Sequence, residues 1–352
     1  MNRYKKIAEY LVEWYPEHAR DLPWRKDKEP YHVWLSEIML QQTRVEAVKA
    51  YYKRFLEELP TIEALANVEE DRLLKLWEGL GYYNRAKNLK KAAVTIMEQR
   101  NGEFPKTYEE ILSLSGIGEY TAGAISSICY ELPVPAVDGN VLRVCSRVME
   151  DDENIDKPAG KKKFRDELKK VYPTGKCGIF TQSLMELGAT VCLPNGMPKC
   201  EECPLRDICL ANQHGTWQNY PVREPKKKRK IEEKTVFLFR CGDRIAIRKR
   251  TENGLLSGMW EFPNLTVEKP MNEQQAADAA GKFEVNPKQI HMNYSYTHIF
   301  SHVEWRMTAY IMTCQKMAPE FLWVTLEELK GQIAMPSAFK IFQELLEEGF
   351  DK

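Results

Sequence analysis

The chain has 352 residues, enough for two or three domains at about 150 residues each, and its 43% hydrophobic and 29% charged content excludes a disordered or fibrous protein. Lysine plus arginine and aspartate plus glutamate both total 51, so a polyanionic partner has to be held by local patches rather than by a net field. No apolar stretch approaches the roughly 18 residues of a membrane span, and the start at Met1 lacks a secretory apolar core, so an intracellular chain without membrane contact is expected.

As far as about Tyr220, apolar residues recur at spacings of three and four, as in Leu73, Leu74, Trp77 and Leu80, which predicts a mostly α half. Early in this half, helical spacing sets Glu37 in line with Trp34, Ile38 and Gln41. A carboxyl on such an apolar stripe resists ionisation and can serve as a general acid near neutral pH; the plainer reading is a solvated or structurally paired glutamate. Leu112–Ile125 reads as helix, glycine turn, helix. Gly116 and Gly118 let backbone amides converge at the second helix's N-terminus, either to bind a phosphate or simply to make a tight connection. Asp138 precedes the helical pattern Val141, Val144, Cys145 and Val148. It is an N-cap, or a carboxylate kept ionised by helix amides beside a developing cation. One protonated acid and one ionised carboxylate would form a glycosidase-type pair.

Nine cysteines are too few for a disulfide scaffold, and four of them, Cys192, Cys200, Cys203 and Cys209, are separated by only seven, two and five residues. Thiolates so close repel one another unless a cation or cluster neutralises them, which points to an iron–sulfur cluster or a structural zinc. Zinc sites usually pair two Cys-x-x-Cys units, and one is present. Prolines and like charges mark Pro221–Lys230 as a linker; its basic run fits a phosphate-touching connector or a nuclear-localisation pattern. Beyond Lys234 the period changes. Phe237–Phe239 and Ile245–Ile247, around Cys241-Gly242-Asp243, predict a hairpin, and Val303, Trp305, Met307, Ala309 and Ile311 alternate with polar residues as a half-buried strand does. Pro336–Phe339 opens a closing helix with Ile341, Phe342, Leu345 and Leu346 on one face, so this half is α+β.

Leu22-Pro23-Trp24-Arg25, Glu37–Thr43, Gly79–Ala86, the glycine hairpin, Val137-Asp138-Gly139-Asn140 and the four cysteines occur in an order that resembles the helix-hairpin-helix DNA glycosylases, and within them the adenine DNA glycosylases of the MutY type. The resemblance runs from about Leu22 through Cys209 and on into the second half. It implies a multidomain fold: an all-α module over residues 1–220 with its hairpin at about 108–125 and an iron–sulfur loop at 192–209, a basic linker at 221–234, and an α+β, MutT-like (Nudix-fold) domain over 235–352 that recognises 8-oxoguanine. The implied substrate is duplex DNA with adenine opposite 8-oxoguanine or guanine, bound by a monomer that carries a [4Fe–4S] cluster on Cys192, Cys200, Cys203 and Cys209. Contacts with replication or repair proteins are left open.

By the same resemblance, adenine is rotated out of the duplex, Glu37 protonates it, and Asp138 stabilises the oxocarbenium-like sugar before water completes hydrolysis. Tyr120 and Asn140 line the sugar side, and Trp24, Arg25, Leu40 and Glu186 surround the extruded base. Gln42 and Tyr82 enter the gap in the stack, Thr43 and Leu80 lie beside the opposing base, and Gly116 and Gly118 take a phosphate. Phe300, Ser301 and His302 form the lesion-contacting loop. Tyr120 stands where the endonuclease III branch has a Schiff-base lysine, which implies base removal with little strand cleavage. Gly254–Pro263 fits the start of the Nudix signature, but Gln274–Gly281 has no cluster of carboxylates, so no nucleotide hydrolysis is expected. The first cysteine gap is one residue longer than the family's usual six, so Leu193–Lys199 should bulge outward.

Overall fold

The computed structural model describes residues 3–225, 228–251 and 254–347. Lys226 and Lys227 of the expected linker, and both ends of the expected domain layout, residues 1–2 and 348–352, lie outside the described residues. The chain groups into two units, Met1–Val68 with Lys87–Pro225, and Glu69–Ala86 with Lys226–Lys352. In chain order the helices are α1 (Arg3–His18), α2 (Pro30–Leu40), α3 (Val45–Glu58), α4 (Ile62–Asn67), α5 (Glu70–Trp77), α6 (Asn84–Arg100), α7 (Tyr108–Leu112), α8 (Glu119–Tyr130), α9 (Gly139–Met149), α10 (Pro158–Lys169), α11 (Cys177–Thr190) and α12 (Leu210–Gln213). None of the described helices is long and apolar enough to cross a membrane.

The core of the first unit follows from the stripe predicted on α9. Val141, Val144, Cys145 and Val148 repeat at three and four, and they pack with Ile7 and Leu11 of α1, Phe164 and Leu168 of α10, and Phe180 and Leu184 of α11. Each of these aliphatic and aromatic side chains, fully buried, stabilises the fold by about 1.5–3 kcal/mol before entropy is counted. Two features of this packing set up the cleft. Asp138 caps α9, its side chain accepting from the Val141 amide. Behind it α11 approaches so closely that a Cβ on Gly188 would lie 2.4 Å from the Cβ of Asn140. The hairpin forms as predicted: a capping box between Thr107 and Glu110 starts α7, and Gly118 stands at the N-cap of α8. Gly116 turns the chain at φ +76°, in the left-handed region, where a Cβ would also meet the Asn88 side chain at 2.6 Å.

In the second unit the strands are β1 (Lys230–Cys241), β2 (Arg244–Lys249), β3 (Trp260–Glu261), β4 (Asn264–Val267), β5 (Pro287–Ile299), β6 (Val303–Cys314) and β7 (Leu322–Thr325), with α13 (Glu273–Ala280), α14 (Leu326–Gly331) and α15 (Ser337–Glu347). The described residues form one mixed sheet of order β3-β2-β1-β6-β5, with β4 on β1 and β7 on β2. β1 runs parallel to β6 from Lys230 opposite Val303 to Arg240 opposite Thr313, and antiparallel to β2, the predicted hairpin partner. The alternation read in β6 puts Trp305 and Met307 on one face with Phe339 and Phe342 of α15. On the other face Phe237, Phe239 and Met312 pack against Ala276 and Ala280 of α13.

Two boundaries differ from expectation. β1 begins at Lys230, inside the stretch read as linker at 221–234, because Lys230–Lys234 pair with Val303–Met307 and Glu232 accepts the Trp305 indole N–H at 3.0 Å. The expected first domain, residues 1–220, is interrupted, since Glu69–Ala86 groups with the sheet. Lys75 Nζ donates to the Ile333 carbonyl at 2.9 Å, the Met335 amide donates to Glu78 at 2.9 Å, and Lys249 pairs with Asp71 at 3.0 Å.

Candidate active site

The ends of α2, α8, α9 and α11 converge on a cleft of about 840 Å³ in the first unit. Trp24, Arg25, Glu37, Leu40, Gln42, Thr43, Gly118, Tyr120, Asp138 and Asn140, all read from sequence as site residues, line it. Helix α2 is buried over most of its length, which carries Glu37 down to 6% exposure. Burial pushes its carboxyl up to about 7; the Tyr120 hydroxyl opposes this, donating to Oε2 at 2.5 Å, while the Asp138 charge adds to it and Arg25 subtracts. Burial, and then the two carboxylates, raise the Tyr120 hydroxyl well above its ordinary value, so it stays a donor.

Asp138 sits in a different cage. Oδ1 accepts the Val141 amide at 2.8 Å and Oδ2 accepts Asn140 Nδ2 at 2.8 Å. Arg143, one turn along α9, backs this cage by donating to Asn140 Oδ1 at 2.8 Å, to the Gly188 carbonyl at 2.7 Å and to the Cys192 carbonyl at 2.8 Å. The capping geometry is as expected, yet the carboxyl is not held low. Burial raises it above the usual aspartate range, because the loss of solvation exceeds what the Val141 and Asn140 donors and the Arg143 charge return.

Glu186 is not itself in the cleft lining but holds two residues that are, Arg20 and Arg25. It is fully buried behind the cleft wall, where it accepts from Arg20 Nε at 2.6 Å and Arg25 Nη2 at 2.7 Å. Burial disfavours its charge, but the two guanidinium hydrogen bonds outweigh that and hold it below the ordinary glutamate value. It therefore fixes Arg25, whose guanidinium also lies 5.6 Å over the Tyr15 ring. Trp24 packs edge-on against Tyr52 at 5.5 Å.

Gln42 has φ +59° and Tyr82 φ +47°, a backbone region that residues with a Cβ seldom occupy. In the second unit Tyr82 is half exposed and its hydroxyl lies 2.6 Å from Ser301 Oγ. Phe300 stacks edge-on against His298 and Trp305, at 4.6 and 4.8 Å, and its amide closes the turn onto the Val303 carbonyl at 2.8 Å. Ser301 and His302 are exposed. Leu80 is buried. Gly116 is not part of the cleft lining; its neighbour in the turn, Gly118, is.

Cys192, Cys200, Cys203 and Cys209 line one cavity against Val144, Leu187 and Val191. Arg147 Nη1 donates to Cys192 Sγ at 3.3 Å and to the Leu193 carbonyl at 2.9 Å. Burial pushes the thiols of Cys203 and Cys209 up to about 12 and about 11, with the neighbouring thiolates adding to it. Among the described residues no group of three or more His, Cys, Asp or Glu side chains is arranged to hold a metal ion. Between the first two cysteines the loop is closed by the Lys199 amide on the Val191 carbonyl at 3.0 Å, with Pro194, Asn195, Gly196 and Met197 exposed and Pro198 buried.

Sequence reasoning missed Arg143 and Arg20. Arg143 was findable at three residues from Asn140 on the same helix; Arg20 was not, since its partner Glu186 is 166 residues away. It also missed the basic rim of the cleft, Lys161, Arg165 and Arg223.

Residues 35–174 match the family model described as HhH-GPD superfamily base excision DNA repair protein, and residues 235–345 match the NUDIX domain. The adenine DNA glycosylase of Rattus norvegicus is 31% identical over 95% of this chain and 77% of its own length. That of Buchnera aphidicola subsp. Acyrthosiphon pisum is 34% identical over 84% of this chain and 83% of its own. Among solved structures, a thermostable thymine-DNA glycosylase superposes with a TM-score of 0.55 at 28% identity, covering 60% of this chain and 98% of its own. An endonuclease III in a non-covalent DNA complex shares the fold, with a TM-score of 0.52 at 23% identity over 61% of this chain and 99% of its own.

Proposed function

Since the chain belongs to the adenine DNA glycosylases, DNA N-glycosylases of base excision repair, we propose that it removes adenine paired with 8-oxoguanine or guanine by the joint action of Glu37 and Asp138. The observation that carries this reading is the hydrogen bond from Tyr120 to a buried Glu37 whose carboxyl is pushed up to about 7, on the cleft that also holds Asp138. Adenine within a base pair is out of reach of both carboxyls, so it is flipped into the cleft between Trp24, Arg25 and Leu40. Glu37, whose value of about 7 keeps a large fraction of it protonated near neutral pH, gives its proton to the base, which then leaves as a neutral group when the glycosidic bond breaks. Positive charge develops on the sugar. Asp138, oriented by Val141 and Asn140, faces that charge and stabilises it until water adds.

With a tyrosine at position 120 and no amine nucleophile there, the enzyme is monofunctional and leaves the strand uncut. Gln42 and Tyr82, both already in left-handed backbone, fill the space the adenine vacates, and Ser301 hydrogen-bonds the oxidised base opposite. Cys192, Cys200, Cys203 and Cys209 line one cavity with Arg147 beside Cys192, and although their side chains are not drawn together as for a single ion, these four would hold a [4Fe–4S] cluster. A bound cluster would offset part of the charge of the four thiolates and cross-link the loop that carries them. The protein acts as a monomer. The test is single-turnover release of adenine from duplexes that set it opposite 8-oxoguanine, guanine or thymine. The expected order is 8-oxoguanine first, then guanine, with thymine slowest; equal rates remove the role given to Ser301, and no release at all removes the glycosylase mechanism.

A further inference from the structure

Two cations on the rim of the cleft are each paired with an acid. Arg165 of α10 bonds Glu119, the first residue of α8 and the neighbour of Gly118 in the hairpin turn. Arg223 reaches Asp156 with Nε at 3.3 Å and Nη2 at 3.0 Å, and the Glu224 amide donates to the same carboxylate at 3.0 Å. The chain at Arg223 is pinned to the helical unit by the Ile155 amide on the Val222 carbonyl at 3.1 Å, so the arginine belongs to the rim although it lies in the stretch read as linker. Glu119, Arg165, Asp156, Arg223 and the intervening Lys161 all line the cleft. One guanidinium nitrogen of Arg165 and two of Arg223 are thus each occupied by a carboxylate oxygen, a place an anionic phosphate oxygen can also take. Each pair has one exposed member, Arg223 at 62% and Glu119 at 63%, and one half-buried member, Asp156 at 32% and Arg165 at 27%, so water reaches both pairs and leaves them weak enough to exchange for a stronger anion. A guanidinium binds phosphate with the same two-pronged geometry it uses for carboxylate.

We propose that Arg165 and Arg223 grip the DNA backbone at the rim of the cleft, and that Glu119 and Asp156 hold them as acidic placeholders until a phosphate takes each carboxylate's place. The arrangement keeps a neutral chain from clinging to undamaged duplex while leaving both cations aimed. It rests on the cleft being the DNA-binding face.

Affinity of the full chain for an undamaged fluorescent duplex, measured by anisotropy over a range of potassium chloride, tests it. Arg223→Gln and Arg165→Gln should each lower the slope of log affinity against log salt by about 0.9, one phosphate contact each. Arg223→Lys should keep the slope, because a point charge still meets the phosphate, whereas a purely structural arginine would not be rescued. Asp156→Asn should tighten binding by about twofold to fivefold, and that gain should vanish in the Arg223→Gln background. Equal gains in both backgrounds, no gain, or an unmoved slope in Arg223→Gln overturns the proposal. Normal adenine release by the parent chain in the face of those results sinks the rim assignment alone, and absent release sinks the functional reading instead.

Discussion

Glu37 and Asp138 enter one cleft from two helices, and the helices present them in opposite ways. Glu37 projects from the middle of α2, where the backbone N–H groups are already used by the helix, so one tyrosine hydroxyl is what meets its charge. Asp138 projects from the start of α9, where helix amides are still free to donate, and Val141, Asn140 and Arg143 converge behind it. Burial raises both carboxyls. Position along a helix decides how many donors oppose that rise: one hydroxyl at Glu37, and two backbone amides with the Asn140 side chain at Asp138.

The largest effects should come from exchanging what each wall supplies. Glu37→Gln removes the proton donor and should slow single-turnover adenine release by about 10²–10⁴-fold, and Asp138→Asn by about 10³-fold, with DNA affinity little changed. A loss under tenfold from either would break the comparison. In the parent enzyme Glu37 must be protonated to act, so the rate should hold below its value of about 7 and fall about tenfold per pH unit above it. The same carboxyl makes stability depend on pH. Its folded value lies above the ordinary 4.5, so the stability tied to its proton is complete below 4.5 and is lost as pH rises through about 7. Glu37→Gln should therefore melt higher than the parent at alkaline pH and level with it in acid, which thermal unfolding at the two extremes checks.

Next in size is Arg143→Ala. It leaves the Asn140, Gly188 and Cys192 oxygens without their buried donor and should cost about 2–4 kcal/mol in denaturant unfolding; a neutral result would mean that the Asp138 wall does not need its backing. Tyr120→Phe sharpens the comparison from the other side. The hydroxyl lowers the Glu37 value, so its loss should move the alkaline limb of the rate profile upward, by up to about one unit, with a rate change within about tenfold. A downward move contradicts the assignment. The smallest expected effect is Ser301→Ala, which should reduce the preference for 8-oxoguanine over guanine by about fivefold, one hydrogen bond, and leave the adenine:guanine rate unchanged.

Much of this was legible in the chain because local pattern and burial agree. The alternation from Val303 to Ile311 could be read because Val303, Trp305 and Met307 are buried while Glu304, Arg306 and Thr308 between them are not, although from Ala309 to Met312 both faces are covered; Glu37 stood out because a carboxyl interrupts an apolar stripe. Asp138 was readable as an N-cap, but its upward shift was not, since spacing carries no measure of how deeply a cap is enclosed. The bonds that tie Glu186 to the cleft were not readable for a similar reason: its partners Arg20 and Arg25 come from a distant segment, and only the fold brings them together. Helix α5 reads as amphipathic, with Leu73, Leu74, Leu76 and Trp77 buried, but an amphipathic stripe does not name the surface it meets. Its grouping with the sheet was invisible, as was the pairing that draws Lys230–Lys234 into β1.

The seam between α9 and α11 has its own consequence. With hydrogen alone at position 188, the helices touch through the back of Asn140, and any methyl there must push that side chain toward the cleft. Gly188→Ala would alter no charge and no donor, yet it would misalign the carboxylate that answers the sugar. A variant of this kind would pass every inventory of reactive groups and still run slowly, so impaired turnover with an intact set of functional side chains points to this seam.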